Sequence, residues 1–278
     1  MDVKEIKLPY GQHTTADQID AELKAGGFAA VTLVHSETST ATTCDLQAIA
    51  QVTKKHNVLL IVDGITSIGA LPFDMDGWGV DVAITGSQKS LMLPPGLGYV
   101  ALSKKAQEIA KSAKTPNFYF DLKKYEKSIS DSDTPFTPAN TLIEAQLVSL
   151  KMIKDETIEG VWKRTSAGAK AFRDGVKALG FELFSESPAD SVTAVKHKAG
   201  ITHKEFSNHL KNKHNIHIAG GQGSMEGQIF RVNHMGYSDV YDALVVVAAI
   251  EHTLKALGQP VEFGKGVAAA QAALSGAF

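Results

Sequence analysis

Three polar groups that could do chemistry together follow three apolar segments in the first hundred residues. Asp63 ends the segment VLLIVD, Lys89 follows VDVAITGSQ, and Thr38 lies in a hydroxyl-rich loop after FAAVTLV. A lysine can form a Schiff base with a carbonyl once its amine loses its proton. A carboxylate at the end of a buried strand needs a cationic partner, such as a protonated pyridine nitrogen. The three groups together indicate carbonyl chemistry assisted by a nitrogen heterocycle.

The elements that must position these groups alternate between strand and helix patterns. Apolar runs predict four strands, over residues 28–34, 58–62, 80–85 and 98–102. Helical spacing predicts a helix over residues 45–56, with Asp45 as its N-cap. This order favours an α/β fold with a mostly parallel sheet and helices on both faces. Because parallel strands end at a shared edge, Thr38, Asp63 and Lys89 should meet there.

The second half of the chain predicts a small α/β domain behind a linker helix. Its predicted helices cover residues 139–153, 161–179, 204–213 and 238–257, and its predicted strands cover residues 191–195 and 228–232. We place the domain boundary at residue 155, which gives domains 1–155 and 156–278. The Gly- and Ala-rich tail from Gly258 predicts a loose terminal helix or disorder.

Composition excludes several classes of protein. The chain has 278 residues, 44% apolar and 21% charged, with a formal net charge of −2, so nothing favours nucleic acid or an acidic membrane as partner. Cys44 is the single cysteine, which excludes an intramolecular disulfide. The histidine spacing predicts no metal site. We expect a cytoplasmic globular protein, since the N-terminus lacks an apolar signal core.

Each candidate residue also has a simpler interpretation when it is taken alone. An aspartate at a strand end, such as Asp63, is more often a helix cap or a turn former. A lysine after Ser-Gln, such as Lys89, is usually a solvated surface residue. The order of the two on neighbouring strands is more specific, because both side chains must face one ligand.

Residues 35–98 resemble the fold-type I, class V aminotransferases, within them the alanine–glyoxylate and serine–glyoxylate group. The resemblance is carried by HSETSTAT, VLLIVDGITSIGALPFDMDGWGVDVAITGSQKSLMLPPGLGYVALS, TPFTPANTL and QIFRVNHMG. It implies pyridoxal 5'-phosphate (PLP) as cofactor, in a large domain that is N-terminally incomplete here. It also implies the small C-terminal domain.

The resemblance assigns a role to each residue that matches the family motifs. Lys89 would form the Schiff base, Asp63 would pair with the pyridine nitrogen and Thr38 would contact the phenolic-oxygen side of the cofactor. The phosphate would be bound by Ser87, Gln88 and, from the neighbouring subunit of a homodimer, Thr137.

Arg231 would bind the substrate α-carboxylate, for which a planar guanidinium offers a bidentate fork. The alternative for Arg231 is an interdomain salt bridge. The family reaction transfers an amino group by ping-pong steps, with Lys89 as general base. Glyoxylate as acceptor, and alanine or serine as donor, follow from the resemblance alone.

Members of this family carry roughly a hundred further residues before the point matching Met1. That segment holds a phosphate-binding loop at a helix N-terminus and an aromatic residue that stacks on the pyridine ring. The AGGQG run at residues 219–223 is no replacement, because a strand pattern follows it. The chain could be half of a split enzyme, a natural short form or a truncation. We favour the split enzyme, because the residues that this half would contribute are intact.

Two other functions stay open at this point. One is a non-catalytic subunit or interaction protein that keeps the fold with weak or no cofactor binding. The other is cysteine desulfuration, which needs a nucleophilic cysteine near the substrate. Cys44 is the single candidate, and packing is its more ordinary role.

Overall fold

The computed structural model describes residues 2–276. The strands are β1 Ala30–Val34, β2 Ser36–Glu37, β3 Thr42–Thr43, β4 Leu59–Asp63, β5 Val82–Gly86, β6 Gly98–Leu102, β7 Val192–Lys196, β8 Ala219–Gly220 and β9 Ile229–Asn233. The helices are α1 Ala16–Leu23, α2 Leu46–Lys55, α3 Met75–Trp78, α4 Lys104–Ser112, α5 Leu122–Ser130, α6 Asn140–Glu156, α7 Ile158–Ala178, α8 His203–His214, α9 Asp242–Ala256 and α10 Lys265–Ala273.

A four-stranded sheet in the order β1-β4-β5-β6 organises the first half of the chain. The β1–β4 and β4–β5 pairs are parallel, and β5–β6 is antiparallel. The predicted α/β fold with a mostly parallel sheet is therefore confirmed. The carboxyl ends of β1, β4 and β5 lie at one edge, as the sequence predicted.

The two faces of this sheet differ in burial. Helices α1 and α2 cover the face that carries Leu60 and Val62, both of which are fully buried. The opposite face carries Ile61 and Asp63, and its outer strands leave Val34 41% and Val100 49% exposed. Asp45 caps α2 as predicted, since its carboxylate accepts the Ala48 N–H at 3.0 Å.

A second core lies in the C-terminal part of the chain. The antiparallel sheet β7-β9-β8 packs there with α7, α8 and α9 around Phe172, Phe206 and Phe230. Between α6 and α7 the chain turns at Thr157, whose φ is +70°. The domain boundary at residue 155 stays a prediction.

The tail from Gly258 is more ordered than the sequence predicted, as far as residue 276. Helix α10 packs on α7 and α9. The buried Glu251 carboxylate of α9 accepts the N–H groups of Gly264, Gly266 and Val267 at 2.7–3.2 Å, at the N-terminus of α10. A carboxylate at a helix N-terminus satisfies free N–H groups and complements the helix dipole.

The β2–β3 hairpin joins the two halves of the chain. Its residues bond to the segment 184–191, which leads into β7. The Ser36 and Ser191 hydroxyls are 3.1 Å apart, the Thr42 hydroxyl donates to Ser185 Oγ at 2.9 Å, and the Thr43 N–H donates to the Ser187 carbonyl at 2.9 Å. These bonds fix the loop that carries Thr38 against the C-terminal part.

In residues 2–276, every helix is too short or too polar to span a bilayer.

Candidate active site

Asp63 lies at the end of one parallel strand, and Lys89 lies just beyond the end of the neighbouring one. Asp63 ends β4 and pairs in register with Ile84 of β5, and Lys89 follows β5 by three residues. One carboxylate oxygen of Asp63 accepts the Ile65 N–H at 2.9 Å. Within residues 2–276, Asp63 forms no ion pair, and the Lys89 amine forms neither an ion pair nor a hydrogen bond. Both side chains are half-buried, so each charge stays available for a ligand.

The Thr38 hydroxyl begins a short chain of hydrogen bonds at the same edge of the sheet. It donates to Thr66 Oγ1 at 3.3 Å, and the buried Thr66 hydroxyl donates to the Ser36 carbonyl. This chain ties the loop after β1 to the loop after β4. Thr66 was not among the predicted site residues, although it lies three residues after Asp63 in the loop that the sequence placed at this edge.

Arg231 on β9 reaches the loop after β1 and lies next to Thr38. Its Nη1 donates to the Thr38 carbonyl at 2.8 Å and its Nε donates to the Gly220 carbonyl at 3.0 Å. The side chain is 8% exposed, and this burial lowers its pKa, while the nearby Glu37 charge opposes the shift. Among residues 2–276 it forms no ion pair, so the salt-bridge alternative does not apply. Since Nε is engaged, the Nη edge is the part of the fork open to a carboxylate.

Ser87 is buried and bonded within its own turn, whereas the neighbouring Gln88 is exposed. The fully buried Ser87 hydroxyl donates to the Pro94 carbonyl at 2.8 Å and accepts the Leu97 N–H at 3.2 Å, so it closes the 87–97 turn. The predicted contact between Ser87 and the cofactor phosphate stays a prediction, because in this structure the hydroxyl bonds within its own turn. Gln88 is exposed, and a Cβ on Gly86 would lie 2.8 Å from Gln88 Oε1.

Thr137 shares no hydrogen bond with the other candidate residues in the described part of the chain. It is exposed in the segment before α6. Hydrogen bonds thus link Thr38 to Arg231 and to Thr66 in the loop after Asp63, and among residues 2–276 none of them reaches Thr137. The shared site of Thr38, Asp63, Lys89, Arg231 and Thr137 stays a prediction.

Cys44 is unsuited to nucleophilic chemistry. Burial raises the pKa of its thiol to about 12, so the thiolate that would act as a nucleophile is disfavoured. This argues against desulfuration.

The available groups fit PLP. The unpartnered Lys89 amine suits attachment of an aldehyde, the unpaired Asp63 carboxylate suits a protonated pyridine nitrogen, and Arg231 suits a carboxylate. An α/β sheet with these groups at its carboxyl edge defines the class of PLP-dependent aminotransferases. Within that class, the chain belongs to the class V aminotransferase family, whose model matches residues 1–238. The family resemblance seen in the sequence motifs is thereby confirmed.

Similar proteins carry several names. The small subunit of a soluble hydrogenase from Synechococcus sp. (strain PCC 6716) is 40% identical over 97% of this chain and 72% of its own length. A serine–glyoxylate aminotransferase from Arabidopsis thaliana is 38% identical over 87% of this chain and 62% of its own length. The pyridoxamine–pyruvate aminotransferase structure from Mesorhizobium loti has a TM-score of 0.92 at 28% identity, covering 97% of this chain and 71% of that one.

Proposed function

We propose that this chain moves an amino group from a small amino acid, alanine or serine, to a keto acid such as glyoxylate. The observation that carries the proposal is that Asp63 at the end of β4 and Lys89 just after the adjacent strand β5 have no charged partner in residues 2–276. They lie at the edge of the sheet where Arg231 donates to the Thr38 loop. The hydrogen bond from Arg231 to Thr38 supports a carboxylate site next to the cofactor site. We expect the protein to work in the cytoplasm.

The residues of this chain divide the work by their chemistry. PLP supplies an electron-withdrawing ring when bound, and Asp63 would keep the ring nitrogen protonated. Lys89 would remove the proton from the substrate α-carbon as general base and deliver it to a carbon of the cofactor, so that the amino group stays on the cofactor and a keto acid is released after hydrolysis. Arg231 orients the α-carboxylate through its Nη edge. Thr38 would contact the cofactor on its phenolic-oxygen side.

Three further residues would hold the cofactor phosphate. Gln88 is exposed beside Lys89 and can donate from its amide. Ser87 would contribute after its hydroxyl leaves the Pro94 carbonyl, or through the turn that it closes. Thr137 would reach the phosphate of a second copy in a homodimer, in agreement with its exposure and its separation from the site residues of its own chain.

A complementary polypeptide, the N-terminal half in a split enzyme, would complete the cofactor pocket. Its proposed seat is the apolar surface of residues 100–152, where α5 has no buried residue and α4 has one, Ala106. This surface exposes Val100, Ile109, Phe118, Tyr119, Phe120, Leu122, Ile129, Ile143, Leu147, Val148, Leu150 and Met152. Exposed apolar residues at this density mark an interaction surface.

The decisive test is a titration of the purified chain with PLP, alone and together with the complementary polypeptide, followed by borohydride reduction and peptide mapping. We expect an absorbance band of the lysine-bound cofactor and a single labelled peptide that contains Lys89. Lys89→Ala should abolish both, whereas the matched control Lys177→Ala, an exposed lysine on α7, should leave both unchanged. A label spread over several lysines would contradict the assignment of Lys89.

The competing function is a non-catalytic subunit of the same fold. To separate the two, the titration is repeated with any polypeptide of roughly a hundred residues that co-purifies with the chain. A band that forms only in the complex supports the split enzyme. Absence of a band both alone and in the complex would reject catalysis and favour the non-catalytic subunit.

The amino donor is identified in a separate assay, which measures amino transfer from alanine, serine and aspartate to glyoxylate.

A further inference from the structure

Arg164, far from Lys89 in sequence, sits at a junction of three segments. It lies in the second turn of α7, and its side chain is 20% exposed. Its Nε and Nη2 donate to the two carboxylate oxygens of Glu156, the last residue of α6, at 2.7 and 3.0 Å. Such a bidentate pair fixes the guanidinium plane. Arg164 therefore has a defined orientation despite the turn at Thr157 between the two helices.

The remaining edge of Arg164 holds the loop that follows β9. Its Nη1 donates to the Gly236 carbonyl at 3.1 Å and also to the Ser238 carbonyl. Asn233 closes the same loop from within, since its amide donates to the Met235 carbonyl at 2.9 Å. The loop of residues 233–238 is thus held at both ends.

This loop lies against the turn of Lys89. Gly236 has a φ of +78°, and a Cβ on it would lie 3.4 Å from the Lys89 carbonyl oxygen and 3.9 Å from Met92 Cγ. The Lys89 carbonyl accepts the Met92 N–H at 3.1 Å, and Met92 has a φ of +61°. A shift of the loop would therefore change the turn that carries the Lys89 side chain. The strand β9, which enters the loop, carries Arg231.

We propose that the Arg164–Glu156 pair is a positioning device that sets the Lys89 turn relative to Arg231. The inference rests on the proposed function, since it matters for the reaction only if Lys89 and Arg231 act there. Arg164 itself touches neither substrate nor cofactor. Its guanidinium binds three groups at once, the Glu156 carboxylate and the carbonyls of Gly236 and Ser238, which a lysine ammonium cannot do in one fixed geometry.

Amide hydrogen exchange on the full chain, without cofactor, is the first test. In Arg164→Lys, which keeps the charge, and in Arg164→Ala, we expect the Met92 and Leu93 amides to exchange about tenfold faster through local opening. The Val195 and Phe230 amides of the β7–β9 pair should be unaffected. The matched control is Lys170→Ala, which removes an exposed ion pair with Asp174 on the same helix and should change nothing.

A spectroscopic titration is the second test. With PLP bound, the pH midpoint of the lysine-bound cofactor band should move by about half a unit or more in Arg164→Lys, because the environment of the Lys89 nitrogen changes. Faster exchange over the whole chain, faster exchange in residues 236–238 alone, or an unmoved midpoint would each overturn the positioning role. A wild-type chain that binds no PLP either alone or with the complementary polypeptide would count against the proposed function alone, because the exchange test needs no cofactor.

Discussion

At the scale of single residues, the hydrogen bonds of Arg231 restrict how the proposed substrate carboxylate would bind. Its Nε is held by the Gly220 carbonyl and one Nη1 proton by the Thr38 carbonyl. A carboxylate can therefore approach only along the Nη edge. The same two carbonyls keep the side chain in place before substrate arrives, so little side-chain entropy is lost on binding.

Arg231→Lys tests this arrangement. Lysine replaces the planar guanidinium with a point-like ammonium that cannot bind a carboxylate in bidentate fashion. We therefore expect the KM of amino acid donors to rise about 10- to 100-fold, because a charge-assisted hydrogen-bond pair is lost. Amine donors without a carboxylate should be far less affected. Steady-state kinetics with matched donor pairs measures the difference. Arg173→Lys, at a partly buried pair with Asp190, is the control for lost packing. An equal loss for both kinds of donor would contradict the assignment.

The sequence predicts where residues at or just after strand ends lie, but it does not predict contacts that depend on the tertiary fold. Asp63 and Lys89 follow apolar strands directly, so their placement could be predicted. The internal bonds of Ser87 depend on Pro94 and Leu97, which fold back over ten residues. The role of Gly220 depends on the pairing of β8 with β9. No local pattern encodes either arrangement.

At the scale of elements, α7 carries two buried glycines in different surroundings. A Cβ on Gly175 would meet Val247 Cγ2 at 2.7 Å and the Ala270 Cβ at 3.2 Å, so α9 and α10 approach α7 closely there. On Gly168 the nearest atom would be the Cα of Val240 at 3.9 Å. The two positions are otherwise alike, since both lie inside the same helix.

These glycines give a matched pair of predictions. Gly168→Ala should stabilise the protein by about 0.5–1 kcal/mol through helix propensity. Gly175→Ala should destabilise it by about 1–3 kcal/mol, because overpacking between helices outweighs that gain. Chemical denaturation of both variants beside the wild type measures the two free energies of unfolding. Stabilisation by both alanines would show that the helix contact at Gly175 is looser than described.

The elements that sequence patterns predicted are those with long or regular periodicity. The strands of the main sheet and helices α6 to α9 were predicted within a few residues. The sequence analysis predicts no helix at α1, α3, α4 or α5. The sequence predicts a loop where the β2–β3 hairpin lies, because its two-residue strands depend on bonds to residues 184–191. It predicts either a loose helix or disorder for α10, because the residue that anchors this helix, Glu251, lies on another helix.

At the scale of the whole molecule, the buried His35 and His234 and the half-buried His197 make stability depend on pH. Burial lowers the pKa of His35 and of His197 to about 4 and that of His234 to about 3. In the unfolded chain these groups titrate near pH 6.5. Between those values the unfolded chain binds more protons than the folded one. The stability from these groups is therefore complete above about pH 6.5 and is lost as the pH falls toward 4.

We accordingly expect the thermal midpoint of unfolding to fall between pH 7 and pH 5. His234→Gln, which keeps a hydrogen-bonding group beside the Thr193 hydroxyl, should reduce this slope because it removes one titrating group. Calorimetry at matched ionic strength measures both slopes. His252→Gln is the control, since that histidine is exposed. Equal slopes in the wild type and His234→Gln would contradict the prediction.

The bonds between the β2–β3 hairpin and residues 184–191 have a consequence for how the protein is made. These contacts join segments about 150 residues apart, as between Ser36 and Ser191. During synthesis the N-terminal sheet can pair long before residue 191 leaves the ribosome. The Thr38 loop cannot take its final form until then, and its bond to Arg231 must wait longer. The edge that would receive the cofactor thus forms only after more than 230 residues have been synthesised, although its first strand is made early.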